Sequence, residues 1–117
     1  MKLNFFWNEA GDVREPSCHS DVIGIDGVDF LSCLLSDNGG QQYKDTVNWL
    51  NEGLSMIQAV KYNAVSNAEW IRDSWGAELS GEMAKIYSLY DDDYFEVISI
   101  DDLEEAIVMW REFICAG

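Results

Sequence analysis

The clearest periodicity of apolar residues in the chain lies near its C-terminal end. Ser99 is placed as an N-cap there, and Asp102 three residues later completes a capping-box pattern. Ile98 before the cap and Leu103 after it are spaced as a hydrophobic staple. Apolar residues then recur every three or four positions, as on one face of a helix: Leu103, Ala106, Ile107, Trp110 and Ile114. The pattern predicts a closing helix that begins after Ser99.

Two further helices are predicted in the middle of the chain. Asp26 could cap a short helix, which Asn38-Gly39-Gly40 would end because glycine accepts a left-handed conformation. A longer helix is predicted over residues 42–62, with Val47, Leu50, Leu54 and Ile57 as its main buried stripe. Gly53 lies inside this helix at a cost of about 1 kcal/mol relative to alanine. Close packing of another element against Gly53 would explain its presence.

Strand signals occur at both ends of the chain. Apolar and polar residues alternate over residues 2–8, which predicts a first strand, and residues 21–26 could form a second. Gly11 and the only proline, Pro16, predict a loop over residues 8–20. Residues 69–79 and 82–90 flank Ser80-Gly81, which predicts a hairpin. Residues 91–93 are predicted to be an acidic turn before a short apolar segment at 94–98.

These elements predict a single α+β domain over residues 1–117. A small, mainly antiparallel sheet would contain the N-terminal strand, the hairpin and residues 94–98, with two or three helices packed on it. At this length the chain can bury roughly two-thirds of the surface that it exposes when unfolded.

The net charge indicates what kind of partner the surface could bind. The chain has 22 acidic and 7 basic residues, a formal charge of −15 and a sequence pI near 4.1. Solubility alone needs a magnitude of only about 2 to 8 in a small domain. The excess is either a by-product of a well-solvated surface or a surface that meets a basic partner. Direct binding to nucleic acid or to an anionic membrane is not expected, because phosphate recognition needs Lys and Arg.

Cysteine usage and hydropathy indicate a compartment. The three cysteines are odd in number and show no CxxC spacing, which favours free thiols in a reducing environment. The N-terminal apolar run is too short for a signal peptide, and no window approaches the ~18 apolar residues of a membrane span. The sequence therefore predicts a cytoplasmic protein.

Catalytic and metal-binding patterns are not found. Cys18-His19 is the only place where a nucleophile and a base are adjacent, but neighbouring residues on an extended segment point apart. No Ser-His-Asp arrangement and no glycine-rich phosphate loop can be assembled. Residues 91–93 with Glu96 lack the central glycine of a calcium loop. We therefore expect no enzyme activity, no catalytic residue, no metal and no cofactor.

The C-terminal half resembles a known family. The resemblance is carried by Trp70, Trp75-Gly76-Ala77-Glu78-Leu79, Ile86-Tyr87-Ser88, Ile98 through Leu103, Trp110 and Phe113. Over residues 43–114 the chain is similar to small bacterial immunity proteins, the antidotes encoded beside polymorphic or contact-dependent growth inhibition toxins. The resemblance implies a cytoplasmic protein without enzymatic activity that binds one cognate toxin domain, often a basic nuclease. The family shares no motif of functional residues that could be carried over.

The sequence therefore predicts that acidic residues form the partner-binding surface of a monomer or weak dimer. The candidates lie in the acidic turn and on the closing helix: Asp91, Asp92, Asp93, Asp102, Glu105 and Glu112. One alternative is an acidic nucleic-acid mimic that inhibits a DNA-binding protein, and it requires carboxylates spaced like phosphates along one face. Another is a small ligand-binding module, which requires a polar pocket.

Overall fold

The computed structural model describes all residues from 1 to 117 and has the α+β architecture that the sequence predicts. It contains two antiparallel sheets, three α-helices and one short 3₁₀ helix. In chain order the elements are β1 (Leu3–Ala10), β2 (Val13–Ser20), α1 (Phe30–Ser36), the 3₁₀ helix (Tyr43–Thr46), α2 (Val47–Lys61), β3 (Asn67–Ile71), β4 (Trp75–Ser80), β5 (Met83–Ser88), β6 (Asp91–Ser99) and α3 (Ile100–Ala116).

The first sheet is a hairpin of β1 and β2. The two strands pair from Leu3 with Ser20 to Ala10 with Val13, and Gly11 takes a φ of +62° in the turn. The prediction of a loop over residues 8–20 is therefore wrong. Pro16 is tolerated because β2 pairs only with β1, so the outer edge of β2 needs no N–H donor for a further strand. The hairpin forms a sheet of its own. The prediction that the N-terminal strand joins the main sheet is therefore wrong.

The second sheet has the strand order β3-β4-β5-β6. The predicted hairpin at Ser80-Gly81 is confirmed, with Ser80 paired to Met83 and Gly81 at a φ of +58°. The segment 69–79 is divided between β3 and β4 by a turn at 72–74. The predicted acidic turn is wrong, because Asp91 already pairs with Ser88 and begins β6. The chain turns at residues 89–90 instead, and Asp92 and Asp93 lie in β6 where the register with β5 shifts between Tyr87 and Ser88.

The region before α1 differs from its prediction. Residues 21–26 form no strand and contribute one isolated bridge, between Ile23 and Asp29. Asp29, rather than Asp26, caps α1, since its side chain accepts a hydrogen bond from the Ser32 N–H at 3.0 Å. The Asp26 carboxylate instead accepts hydrogen bonds from the Val28 N–H and the Tyr94 hydroxyl.

The two longer helices agree with their sequence patterns. Ser99 caps α3 by accepting a hydrogen bond from the Asp102 N–H at 3.1 Å, and the predicted apolar stripe of this helix is buried. Gly53 of α2 faces the Trp70 ring, and an added Cβ would lie 2.7 Å from Trp70 Cε2. Close packing of the Trp70 ring against α2 therefore explains the presence of Gly53. The Trp70 indole N–H donates to the Trp49 carbonyl at 2.9 Å, which satisfies the one polar group of this buried ring.

The helices cover only one face of the four-stranded sheet. All three contact the sheet, and the side chains on the covered face are buried: Trp70, Ala77, Leu79, Ala84 and Ile86. The side chains that alternate with them point away from the helices, and most are exposed or half-exposed. We call this second surface the open face. No helix is both long and apolar enough to cross a membrane.

Candidate functional site on the open face

The open face brings together charges that are far apart in the sequence. Glu69 of β3 lies opposite Glu78 of β4, which lies opposite Lys85 of β5. Like charges directly opposite each other in a sheet are destabilising, so the first of these pairs adds nothing to the fold. Lys85 relieves only part of the repulsion.

A groove of about 480 Å³ runs over these residues. It is lined by Glu69, Glu78, Lys85, Tyr87, Leu89, Tyr90, Asp91 and Asp92, which together are four carboxylates against one ammonium group. We call it the acidic groove. It contains two of the residues that the sequence predicted, Asp91 and Asp92.

Tyr87 lies against the sheet at the base of the groove because β4 has no side chain at Gly76. A Cβ at Gly76 would come within 3.1 Å of Tyr87 Cζ and of its hydroxyl oxygen. The hydroxyl donates to Glu69 Oε2 at 3.2 Å. Burial of the ring, together with the neighbouring Glu69 carboxylate, raises the pKa of Tyr87. At neutral pH the groove therefore holds a protonated phenol that fixes one of its carboxylates.

Asp93 stands next to the acidic groove, although it does not line it. The carboxylates of Asp91, Asp92 and Asp93 are exposed, and their ligating oxygens lie within 4.8 Å of one another. They are the residues best placed to hold a cation. Exposed acidic residues often cluster in this way without an ion, and no further His, Cys, Asp or Glu joins the group, so we assign them no metal site.

Apolar side chains flank the acidic groove on the same face. Ile71, Met83, Phe95 and Val97 are each between 43% and 46% exposed. Phe95 pairs with Tyr87 across the strands, and the Lys85 ammonium lies 4.5 Å from the centre of the Phe95 ring. Aromatic and aliphatic area beside polar groups is typical of a surface that binds another protein.

The other three predicted residues lie on α3, in the helix layer. Glu105 and Glu112 are exposed, whereas Asp102 is half-buried at the start of the helix. Glu105 lines a shallow depression between α2 and α3. The six predicted residues therefore belong to two surfaces, one on the open face and one on α3.

Lys61 neutralises part of the acidic surface of α3. Its ammonium group lies 2.8 Å from Asp101 and 3.0 Å from Glu104. These two hydrogen bonds raise the pKa of Lys61. None of the carboxylates that line the acidic groove forms a salt bridge with a lysine or an arginine. Fewer of the carboxylates on the open face than on α3 are therefore neutralised by ion pairs.

Sequence reasoning missed Glu69, Glu78, Lys85 and Tyr87 as members of one site. The available signal was alternation with buried neighbours, for example Glu69 beside Trp70. It was hidden because β3 and β4 were predicted as one continuous segment.

Cys18 and His19 do not form a catalytic pair. The Cys18 side chain is buried against α1, and its burial raises the pKa of the thiol to about 11. The His19 ring is exposed and stacks on Phe6, with 5.0 Å between ring centres. All three cysteines are free thiols.

Comparison of the chain with models of known protein families, with curated proteins and with solved structures finds no match. The open face is therefore the structural basis for a proposal about function.

Proposed function

We propose that this protein is an immunity protein, which binds a cognate toxin domain through its open face and thereby neutralises it. The observation that carries the proposal is the acidic groove, where four carboxylates surround one lysine beside exposed apolar side chains. The proposal requires binding and no catalysis. A cytoplasmic location is part of it, because the antidote must meet the toxin where the toxin acts.

Charge favours a basic partner. A nuclease is positively charged where it holds phosphates, so an inhibitor can compete there by presenting carboxylates. The net charge of −15 adds a long-range attraction to the local one. Such attraction can raise association rates to about 10⁸ to 10⁹ M⁻¹ s⁻¹ at low salt.

The apolar side chains of the open face would limit dissociation. A few desolvated aromatic or charged anchors usually dominate the energy of an interface. Tyr90 is 85% exposed at the acidic groove, and Phe95 lies on the same face at 43%. These two rings are therefore the proposed anchors, with the surrounding carboxylates controlling the approach of the partner.

The distribution of carboxylates supports toxin neutralisation over nucleic-acid mimicry. A mimic needs charges in a regular row, since duplex DNA carries one charge per about 1.7 Å of its axis. The molecule measures 46 × 30 × 25 Å, and its candidate acids are divided between the open face and α3. A clustered patch suits a concave basic site better than it imitates a phosphate backbone.

The test is binding to the toxin domain encoded in the neighbouring reading frame, measured by surface plasmon resonance at low and high salt. Glu78→Lys with Asp92→Lys changes the acidic groove, and Glu105→Lys with Glu112→Lys is the matched control with the same charge change on α3. We expect the groove variant to associate at least about tenfold more slowly and to show a weaker salt dependence than the unmodified protein. We expect the α3 variant to change by less than about threefold.

The outcomes separate the site from the function. A larger effect of the α3 variant would move the interface to that helix. Unchanged binding by both variants would reject an acidic interface. If the unmodified protein neither binds the toxin domain nor protects cells that express it, the proposed function is wrong.

A further inference from the structure

A second cleft lies at the edge of β6 that faces away from β5. It has a volume of about 310 Å³ and shares no residue with the acidic groove. Residues 93–96 of β6 line it on one side, and residues 24–26 of the loop before α1 line it on the other. Successive residues of a strand point to opposite faces of a sheet, so a cleft lined by all four of these strand residues lies at the sheet edge. We call it the edge cleft.

Ile25 is the most exposed of the large apolar residues in the chain, and its side chain is fully accessible to solvent. The loop that carries it is nevertheless fixed. The Gly24 N–H donates to the Val28 carbonyl at 2.8 Å, and the Asp26 carboxylate accepts hydrogen bonds from the Val28 N–H and the Tyr94 hydroxyl. Ile25 is therefore held in place at the edge cleft, although no residue of the chain covers it.

Aromatic rings form the other apolar walls. The Phe30 ring is buried, and its centre lies 4.8 Å from that of Tyr94. An added Cβ at Gly24 would lie 2.6 Å from Phe30 Cε1, so the glycine lets the loop lie directly against this ring. Phe95 is 43% exposed on the β6 side. The walls are thus in position before a partner binds, which lowers the entropic cost of binding.

The charged members of the lining are all acidic. Asp26, Asp93 and Glu96 contribute three carboxylates, and no lysine or arginine lines the edge cleft. None of the three forms a salt bridge. The Lys85 ammonium lies 4.5 Å from the centre of the Phe95 ring, but this lysine lines the acidic groove instead. The edge cleft therefore offers apolar surface and negative charge to the same occupant.

We propose that the edge cleft receives an arginine side chain of a partner protein. The hydrocarbon part of this side chain would pack on Ile25 and Phe95, and its guanidinium group would donate hydrogen bonds to Asp93 and Glu96. This inference deepens the proposed function. That the partner is the toxin domain rests on the proposed function, whereas the preference of the edge cleft for arginine does not.

The chemistry of the lining favours arginine over other occupants. Long basic side chains combine an apolar stem with a cationic head, which matches apolar walls beside carboxylates. A guanidinium group also stacks on aromatic faces and binds a carboxylate through two parallel hydrogen bonds, whereas an ammonium group is a strongly hydrated point charge. Phosphate and carboxylate ligands are disfavoured, because they would face three like charges.

A second copy of this chain does not fit as the partner. The chain has three arginines, and each is engaged within its own molecule. Arg14 lies over the Trp7 ring, Arg72 is only 4% exposed, and Arg111 donates to Asn51 at 2.8 Å. Two copies that each carry a net charge of −15 also repel one another. The occupant is therefore assigned to a different, basic protein.

The first test is an NMR titration of protein whose isoleucine methyl groups are ¹³C-labelled. The probes are the N-acetyl amides of arginine, lysine and citrulline, and citrulline is the matched control because it has nearly the shape of arginine without the charge. We expect the Ile25 methyl resonance to saturate with the arginine probe, to bind the lysine probe at least about threefold more weakly and not to saturate with citrulline. Ile71 is the internal control, since it is 46% exposed on β3 at the opposite edge of the same sheet.

Equal affinities for the arginine and lysine probes would overturn the assignment of a guanidinium group. Equal, non-saturating shifts of Ile25 and Ile71 with both cationic probes would overturn the site itself, because the protein would then attract cations only through its net charge.

Two double variants separate the edge cleft from the acidic groove. Asp93→Asn with Glu96→Gln neutralises the edge cleft, and Asp91→Asn with Asp92→Asn is the matched control with the same charge change. We expect the first to weaken binding of the arginine probe at least about fivefold and the second by less than about twofold. None of the four side chains is buried, so the melting temperatures should change little. Equal losses of affinity would contradict the proposal.

Ile25→Ala tests whether the toxin domain uses the edge cleft. Because Ile25 is fully exposed, the substitution leaves the core intact. We expect surface plasmon resonance to show dissociation at least about threefold faster and association changed by less than about twofold, since most interface substitutions act on dissociation. Val13→Ala is the control, because Val13 is 55% exposed and lines neither the acidic groove nor the edge cleft.

Equal kinetics of the Ile25→Ala and Val13→Ala variants would overturn the toxin domain as the source of the arginine. If the unmodified protein does not bind the toxin domain at all, the proposed function is wrong. The titration with the amino-acid probes then still decides whether the edge cleft takes an arginine side chain.

Discussion

The two faces of the four-stranded sheet are built by the same strands under opposite constraints. On the covered face Trp70, Ala77 and Ile86 are apolar and at most 1% exposed. On the open face Glu69 and Glu78 stand beside each other although their charges repel. The covered face is explained by packing alone. The open face contains features that packing does not explain, so it is where we expect function.

The largest difference between the two faces is expected when one apolar residue is truncated on each. Ile86→Ala should lower the free energy of unfolding by about 2 to 5 kcal/mol, because it leaves a cavity in a fully buried layer. Val97→Ala on the open face is the matched control and should change it by no more than about 0.5 kcal/mol, since Val97 is 44% exposed. Urea denaturation measures both. Similar losses would mean that the open face is part of the core.

A smaller effect is expected at the contact between α2 and the covered face. Helix propensity alone predicts that Gly53→Ala stabilises the protein by about 1 kcal/mol. The new Cβ would instead lie 2.7 to 3.0 Å from atoms of the Trp70 ring, and such overpacking costs about 1 to 3 kcal/mol. We therefore expect net destabilisation, measured as a lower melting temperature.

Ser55→Ala is the control for this prediction, because Ser55 is exposed on the same helix and meets only the propensity effect. It should be neutral or slightly stabilising. If Gly53→Ala behaved like Ser55→Ala, α2 could move away from the sheet without cost.

The smallest effect concerns the border between the two faces, at Tyr94 of β6. The Tyr94 hydroxyl donates to Asp26, and this hydrogen bond is the main cause that lowers the pKa of Asp26 below its ordinary value of 3.8. A carboxyl group whose pKa is lower in the folded state stabilises the fold above its unfolded pKa. This contribution is lost as the pH falls through the folded pKa.

Tyr94→Phe should therefore make the acid-side decline in the free energy of unfolding shallower between about pH 5 and pH 3. Urea denaturation across that range measures it. Tyr90→Phe is the control, because Tyr90 is 85% exposed and its hydroxyl makes no hydrogen bond with the protein. An identical pH profile for Tyr94→Phe and the unmodified protein would show that the hydrogen bond does not control Asp26.

The parts of the fold that could be predicted are those with local signals. The cap at Ser99, the stripe of α3 and the turn at Ser80-Gly81 are all set by residues within a few positions of one another. The sequence pattern did not predict strand β2 or the start of strand β6. Both are mostly exposed at the edge of a sheet, so neither alternates clearly between apolar and polar residues. Their pairing depends on distant partners.

The candidate site was predictable only in part for the same reason. Asp91 and Asp92 stand out as a run of acids, so charge alone identifies them. Glu69 and Glu78 join them only through the register of three strands, which the sequence does not display. The burial of Arg72 is also not displayed by the sequence, because its contact with the Trp49 ring depends on how α2 packs on the sheet.

The position of β6 at the rim of its sheet has a consequence for self-association. The outer backbone groups of a rim strand can template pairing with a second molecule, which is a common start of aggregation. Two copies of β6 that met in parallel register would bring their two runs of aspartate side by side, where like charges repel. The carboxylates proposed to attract a foreign basic protein would thus also oppose parallel pairing of β6 between identical molecules.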